Sequence, residues 1–280
     1  MFNLDRQLIK DLSKEDLKLP EFDEQITELD DDYRNFFQSK FQDWGKQYHS
    51  RKEEIEHKLD IHILGQGKNS VVFTSDELPD KYVMSYAKSM SEADNSFERQ
   101  KDPERRLIEK TFRSKHNFYL NRIMNELFPG SVAKIHYSSV HEEHLYEVTV
   151  REKIEGVMAG FKTWEASEIP KHASRIDTMN ILEIKNLLYK KRIPITLDAE
   201  NINNVLVRKD GSECYVDGEL HFLEGEGLGD REEYSFENIL ELMDELHITE
   251  RKQHKVLKWV DRAVSIEAEH QERLKSIKST

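Results

Sequence analysis

The chain has almost no cysteine and no long hydrophobic run. Its one cysteine, Cys214, cannot form a disulfide within the chain, which favours a reducing compartment, and we expect the cytoplasm. No apolar run approaches the length of a membrane span. The first residues do not have the pattern of a secretory signal. The sequence therefore predicts a cytoplasmic protein without a membrane span.

The chain also has fewer positive than negative side chains. Lysine and arginine number 42 against 55 aspartates and glutamates, and the formal net charge is -13. This balance disfavours a general nucleic-acid binder, because neutralising phosphates requires a basic surface. We expect the basic run at 190–192 to be the solvated end of a helix, where cations suit the helix dipole.

Charged residues make up 35% of the chain and hydrophobic residues 37%, a composition typical of a soluble, helix-rich protein with a modest core. The length of 280 residues suits one large domain or two lobes. Residues 1–58 are predicted to be helical, with aromatic side chains three and four residues apart from Tyr33 to Tyr48. We expect these aromatic residues to pack against a neighbouring lobe. The alternative is that they bind a groove of a protein partner.

A hairpin is predicted between residues 205 and 216. The apolar segments Val205–Val207 and Cys214–Val216 read as strands, and Asp210-Gly211 between them favours a tight turn. The alternative is an ordinary surface hairpin whose Asp and Asn residues only make turns.

Two acids and an amide fall at one end of this hairpin. Asp198 and Asn204 precede its first strand, and Asp217 follows its second strand. Magnesium takes few carboxylates together with waters and phosphate oxygens. A hydroxyl that attacks a phosphoryl group needs a carboxylate to orient it and take its proton. The three side chains therefore predict a magnesium-dependent phosphoryl-transfer site.

These residues resemble the protein-kinase-like family, whose pattern is H-R-D-L-x-x-x-N, a hairpin and D-F-G. The resemblance implies that Asp198 is the catalytic acid of the loop and that Asn204 and Asp217 bind Mg²⁺. Asn203 fits the spacing of the pattern, whereas Asn204 directly precedes the strand. Thr196-Leu197 stand at the His-Arg positions, and the tripeptide at 217–219 is Asp-Gly-Glu.

A glycine-rich segment occurs earlier in the chain. Gly65, Gln66, Gly67, Ser70 and Val72 resemble the G-x-G-x-x-G-x-V loop that covers the nucleotide phosphates in kinases. Glycine lets backbone N–H groups approach phosphates without an intervening Cβ. A dinucleotide-binding reading would require a helix directly after the glycines, but the sequence continues as a strand. A plain β-hairpin is the alternative.

The family places a phosphate-binding lysine on the next strand, predicted over residues 82–88. The resemblance implies Lys88 for this role, with Lys81 as the alternative. A helix is predicted to begin at Pro103, because proline suits the first helical position, and to extend to Leu127. In the family this helix carries a glutamate that pairs with the lysine, and Glu109 is the candidate here.

Strands are predicted at 132–136 and 145–150, and an extended hinge at 151–156. In the family the backbone of the hinge contacts adenine, which implies roles for Glu152 and Ile154. Further helices are predicted at 176–191, 235–246 and 250–277, the second capped by Ser235. No A-P-E motif follows the hairpin, so we expect a shortened second lobe, as in small-molecule and atypical kinases.

The predicted fold is α+β: a two-lobed protein-kinase-like fold with a five-stranded antiparallel sheet in its N-lobe, a mostly helical C-lobe and an N-terminal helical extension. The predicted boundaries are 1–58, 59–153 and 154–280. The resemblance implies a phosphotransferase that uses ATP and Mg²⁺ on an unidentified hydroxyl, of a small molecule or a protein. The alternatives are an inactive pseudokinase that serves as a binding or regulatory module, and an enzyme that transfers AMP or another group instead of phosphate.

Overall fold

The computed structural model describes residues 61–66, 70–75, 80–87, 103–140, 147–159, 179–199, 202–217, 220–222 and 234–278. The predictions for residues 1–58 lie outside this part of the chain. The described residues belong to two compact units. One unit takes 119–134 and 154–264, and the other takes the described residues from 61 to 118, 135–153 and the chain from 265 onward. The domain boundaries given above stay a prediction.

One unit contains a five-stranded antiparallel sheet. Its strands in chain order are β1 (Ile61–Gln66), β2 (Ser70–Ser75), β3 (Tyr82–Ala87), β4 (Ile135–Val140) and β5 (Glu147–Glu152). They are arranged in the order β1-β2-β3-β5-β4. Helix α1 (Pro103–Leu127) follows β3 in the chain and begins at the predicted proline. The α+β class and the five-stranded antiparallel sheet are confirmed.

Hydroxyl groups accompany the apolar core of this unit. Ser85 and Thr149, on neighbouring strands, hydrogen bond at 2.7 Å. Ser114 of α1 bonds to Ser138 of β4 at 2.6 Å, and the Ser138 hydroxyl also donates to Glu147 at 3.0 Å. Burial of a hydroxyl is tolerated where it is hydrogen-bonded. The bond between Ser114 and Ser138 therefore fixes the position of α1 along β4.

The strand predicted at 132–136 is wrong in its first half. Strand β4 begins at Ile135. Val132 instead forms an isolated parallel bridge with Tyr215, and both residues belong to the unit that takes 119–134 and 154–264. The N–H of Tyr215 donates to the Ser131 carbonyl at 2.8 Å, and its carbonyl accepts from the Ala133 N–H at 2.9 Å. An apolar segment shows strand propensity but does not specify its pairing partner, and for this reason the predicted strand began too early.

The second unit contains short strands and helices. The strands are β6 (Val157–Met158), β7 (Ile195–Thr196), β8 (Val205–Val207), β9 (Glu213–Tyr215) and β10 (His221–Phe222), and the helices are α2 (Ile181–Lys190), α3 (Asn238–Glu245) and α4 (Glu250–Lys278). Strands β6, β8 and β9 form one sheet, and β10 pairs with β7. The residues of helix α4 up to 264 belong to this unit, and those from 265 onward belong to the unit of the five-stranded sheet.

Helix α2 begins later than the residue 176 of the prediction, although 176–178 lie outside the described residues. Asn180 is its N-cap and forms a capping box with Glu183: the Asn180 side chain accepts from the Glu183 N–H at 2.8 Å, and the Glu183 carboxylate accepts from the Asn180 N–H at 2.9 Å. Met179 therefore precedes the helix. The sequence Asn-x-x-Glu carried this signal.

Helix α3 also begins later than predicted, at Asn238 rather than Ser235. The Ser235 hydroxyl accepts from the Glu237 N–H at 3.1 Å, so it stabilises a turn before the helix and does not cap it.

In the basic run at 190–192, the Lys191 amino group lies 2.8 Å from Glu241 and 2.6 Å from Glu245. Lys191 therefore joins α2 to α3. No described helix is both long and apolar enough to cross a membrane.

Candidate active site

The predicted hairpin forms from β8 and β9, which pair antiparallel with Val205 opposite Tyr215. The Arg208 N–H donates to the Ser212 carbonyl, and the Gly211 N–H donates to the Arg208 carbonyl. Gly211 has a φ of 87°, which a residue with a Cβ rarely adopts. The loop therefore has three residues and ends in a bulge, instead of the tighter two-residue turn.

Asp210 stabilises this loop. Its carboxylate accepts hydrogen bonds from the Ser212 hydroxyl at 2.7 Å and from the Ser212 N–H at 2.9 Å. These bonds hold the pKa of Asp210 below its ordinary value. Asp210 is thus a turn residue.

The opposite end of the hairpin holds the predicted site. The Val216 N–H donates to the Asn204 carbonyl at 2.8 Å, which continues the pairing by one step beyond Val205 and Tyr215. Asp217 is the next residue after Val216. A polar residue of each strand's flank therefore lies at this end of the hairpin. Asn204 ends a short 3-10 turn (Ile202–Asn204) directly before β8, and Asp217 lies two residues after the end of β9.

Asn204 binds Asp198 directly. Its side-chain nitrogen Nδ2 donates to the Asp198 carboxylate at 3.1 Å and to the Asp198 main-chain carbonyl at 3.3 Å. The amide NH₂ group of asparagine donates hydrogen bonds, whereas its oxygen only accepts them. The Asn204 nitrogen therefore faces the two Asp198 oxygens, and its oxygen Oδ1 points away from them. Asn203, the alternative by spacing, is exposed. Asn204 is the residue that the fold brings to Asp198.

The backbone of Asp198 is held by the buried Tyr215. The Asp198 N–H donates to the Tyr215 hydroxyl oxygen at 3.3 Å, and Tyr215 is 0% exposed. Strand β7 leads into Asp198 and pairs with β10, which follows Asp217 in the chain. Leu197, at the position where the family has arginine, is 1% exposed. Here that position contributes to the hydrophobic core.

The donor atoms at this end of the hairpin suit magnesium. Asn204 and Asp217 offer an amide oxygen and a carboxylate, which are oxygen ligands of the kind that Mg²⁺ takes together with waters and phosphate oxygens. All three polar residues, Asp198, Asn204 and Asp217, are partly exposed, so solvent reaches them. Among the described residues, no group of three or more His, Cys, Asp or Glu side chains could hold a metal ion by itself.

The glycine-rich segment forms the β1–β2 strand pair in the other unit. Gly65 pairs with Val72 and Gln66 with Val71, and the register shifts between Ile63 and Gly65. Among the described residues, no atom would lie within 4 Å of a Cβ added at Gly65. Ser70 begins β2. Gly67 and Lys88 lie outside the described residues.

The other predicted nucleotide residues are spread over different elements. Glu109 is a half-buried residue of α1, and Glu152 ends β5 opposite Tyr82. Ile154 is half-buried in the extended segment after β5. Lys81 is exposed, and its amino group lies 4.9 Å from the centre of the Tyr82 ring. The pairing of Lys88 with Glu109 stays a prediction.

Sequence reasoning missed three residues that support the hairpin. Tyr215 contacts Asp198, and the Glu213 carboxylate accepts from the Ile181 N–H at 2.9 Å, at the first turn of α2. Gly156 lies so close to β8 that a Cβ there would be 2.7 Å from the Val207 carbonyl oxygen. Each contact joins residues far apart in the chain, so no local pattern marks them.

No protein-family model matches the chain, and no curated protein does. Solved structures give weak overlaps. The Cydia pomonella granulovirus kinase PK-1 is 14% identical, with a TM-score of 0.33 over 64% of this chain and 61% of that one. WbdD, solved with a kinase inhibitor, is 14% identical, with a TM-score of 0.32 over 71% of this chain and 44% of that one. The aminoglycoside phosphotransferase APH(4)-Ia is 13% identical, with a TM-score of 0.32 over 81% and 96%.

These proteins are kinases and phosphotransferases. The chain spans less than two thirds of the granulovirus kinase and of WbdD, and overlaps of this size carry no argument about activity. The molecule's own topology has a glycine-containing strand pair, a five-stranded antiparallel sheet with a helix between its third and fourth strands, and a later hairpin with a polar end. This is an α+β architecture, and its membership of the protein-kinase-like family stays a prediction from the sequence.

Proposed function

We propose that the protein is an ATP- and Mg²⁺-dependent phosphotransferase that acts on a hydroxyl group. The observation that carries the proposal is the polar end of the β8–β9 hairpin. There Asn204 is bonded to Asp198 through its side chain and to Val216 through its backbone, and Asp217 follows directly. A residue set that merely makes turns would not need a bond between Asn204 and the carboxylate of Asp198.

Asn204 and Asp217 are the proposed metal residues. Because the Asn204 nitrogen is committed to Asp198, its Oδ1 is the oxygen that can serve a cation. Asp217 supplies a carboxylate from the adjacent strand end. When bound, Mg²⁺ neutralises charge that develops on the phosphate oxygens.

Asp198 is the proposed general base. It accepts the proton of the acceptor hydroxyl while the hydroxyl oxygen bonds to the γ-phosphorus and the bond from that phosphorus to the ADP oxygen breaks. The hydrogen bond from Asn204 orients the carboxylate for this proton transfer. ADP leaves with the electron pair of the broken bond, and the acceptor leaves as a phosphate ester.

The nucleotide roles rest on the resemblance to the kinase family. Gly65, Gln66, Gly67, Ser70 and Val72 cover the phosphates. Lys88 neutralises their charge, with Glu109 as its candidate partner. The segment that contains Glu152 and Ile154 contacts the adenine through its backbone.

Thermal unfolding with Mg-ATP, compared with ATP plus a chelator, tests nucleotide binding. A ligand at a hundred times its Kd adds about 2.7 kcal/mol of stability, so the wild type should show a Mg²⁺-dependent rise in Tm. Asp217→Asn should lose that rise. The exposed Asp244→Asn in the same unit is the matched control and should keep it. No Mg²⁺-dependent shift in the wild type would overturn the proposal.

Turnover separates an enzyme from an inactive binding module. With Mg-ATP, Asp198→Asn should keep the thermal shift but lower the rate of ADP formation about 10²- to 10⁴-fold. Mass spectrometry of the products distinguishes phosphate transfer, which releases ADP, from AMP transfer, which releases pyrophosphate. Binding of Mg-ATP without turnover on water or on any hydroxyl acceptor offered would instead favour the pseudokinase alternative.

A further inference from the structure

We infer that Tyr215 is a positioning residue for the proposed reaction: its buried hydroxyl fixes the backbone of Asp198, and its strand carries Asp217 two residues later. This inference rests on the proposed function. The direct observation is the hydrogen bond from the Asp198 N–H to the Tyr215 hydroxyl oxygen at 3.3 Å. Tyr215 thus connects the proposed base, Asp198, with the proposed metal-binding carboxylate of Asp217.

Tyr215 is itself held from several sides. It pairs with Val205 in the hairpin. On its other edge its N–H donates to Ser131 and its carbonyl accepts from Ala133, at 2.8 and 2.9 Å. The Ala133 carbonyl in turn accepts from the side chain of Asn121 at 2.9 Å. The backbone of Tyr215 is therefore anchored independently of Asp198.

The hydrogen bond to Tyr215 matters for catalysis because it restrains the backbone of the proposed base, Asp198. Asp198 lies two residues after the end of β7 and is not itself part of a strand. Its side chain is bonded to Asn204, and its N–H is bonded to Tyr215. Loss of the Tyr215 hydroxyl leaves the carboxylate with one of these two restraints. A shift of about 1 Å in a reacting group can lower a rate about a hundredfold.

The test uses Tyr215→Phe in the full chain, with Mg-ATP and water as the acceptor. We expect kcat for ATP hydrolysis to fall about ten- to a hundredfold, with KM for Mg-ATP within about twofold of the wild type, since the phenyl ring keeps the strand that carries Asp217 in place. The matched control is Tyr119→Phe, which removes the hydroxyl of another buried tyrosine of the same unit, packed against Trp259. Its kcat and KM should both be unchanged.

The outcomes separate this inference from the proposed function. If the wild type neither hydrolyses ATP nor shows the Mg²⁺-dependent thermal shift, both fall together. If the wild type is active and Tyr215→Phe has the same kcat as Tyr119→Phe, the role of Tyr215 is wrong and the proposed function stands. A rise in KM as large as the fall in kcat would also overturn it, because Tyr215 would then support the whole site without orienting Asp198.

A measurement on the wild type covers the case in which Tyr215→Phe does not fold. The Asp198 amide should exchange its hydrogen slowly, as a hydrogen-bonded backbone group does. Exchange at Asp198 as fast as that of an unstructured peptide would show that the bond to Tyr215 does not hold the loop, and would overturn the inference.

Discussion

Gly156 lies where two backbone segments come close together. It precedes β6, and an added Cβ would lie 2.7 Å from the carbonyl oxygen of Val207 and 3.3 Å from the Cβ of Leu206. Neither atom belongs to the flexible end of a side chain, so the strand itself must shift. The site depends on this contact indirectly, because β8 carries Asn204 at its start.

We therefore expect Gly156→Ala to lower the free energy of unfolding by about 1 to 3 kcal/mol, the usual cost of overpacking. Urea denaturation measures this change. Gly65→Ala is the matched control, since no atom of the residues that the structure describes lies within 4 Å of its added Cβ, and it should change stability by no more than about 0.5 kcal/mol. Equal stability of the two variants would mean that β6 and β8 do not approach as described.

At the scale of elements, two helices of the hairpin's unit end in the same way. After α2, Arg192 has a φ of 54°, and the Ile193 N–H donates to Leu188. After α3, His247 has a φ of 52°, and the Ile248 N–H donates to Met243. Both are Schellman ends, in which glycine is the usual residue. The chain instead places a residue with a Cβ in the left-handed region at each end.

His247→Gly should therefore be neutral or stabilising, by up to about 1 kcal/mol. The left-handed conformation costs a non-glycine residue about 1 to 2 kcal/mol, which exceeds the entropy that glycine loses on folding. His254→Gly makes the same exchange at an exposed position inside α4 and should cost about 1 kcal/mol. Thermal unfolding of both variants checks the sign, and a loss at His247 as large as that at His254 would contradict the described helix end.

At the scale of the whole molecule, stability should depend on pH through a buried histidine. His116 is 4% exposed, and its ring lies 5.2 Å from that of Phe112, which stacks on His270 at 4.0 Å. Burial and, to a lesser degree, the neighbouring His270 lower the pKa of His116 from 6.5 to about 4. The unfolded chain therefore binds a proton at this side chain more readily than the folded chain does.

The sign follows from proton linkage. A depressed folded pKa gives stability that is fully present above pH 6.5 and is lost as the pH falls toward 4, by about 3 kcal/mol in total. Urea denaturation at pH 7 and at pH 4.5 should show this loss in the wild type. His116→Phe keeps an aromatic ring but has no proton to bind, so its loss over the same range should be smaller. The same pH dependence in both proteins would exclude His116 as the cause.

Much of this architecture could be predicted from local patterns. Pro103 marked the start of α1, short apolar segments marked the strands of the hairpin, and Asp210-Gly211 marked its turn. The assignments that were wrong had a common cause. Val132 has strand propensity but pairs with Tyr215 outside the five-stranded sheet, and Ser235 has the chemistry of a cap but bonds within the preceding turn. A residue type limits the bonds that a side chain can make, and the tertiary neighbours select among them.

The sequence by itself determined the order of the elements and the residue types at the candidate site, because turns, caps and hydrophobic periodicity act over a few residues. It placed Asp198, Asn204 and Asp217 around one hairpin. The tertiary structure alone decided between Asn203 and Asn204 as the partner of Asp198, and it brought the Tyr215 hydroxyl to the Asp198 backbone. Such contacts depend on the register of paired strands and on the packing of a buried ring, which join residues that no local pattern relates.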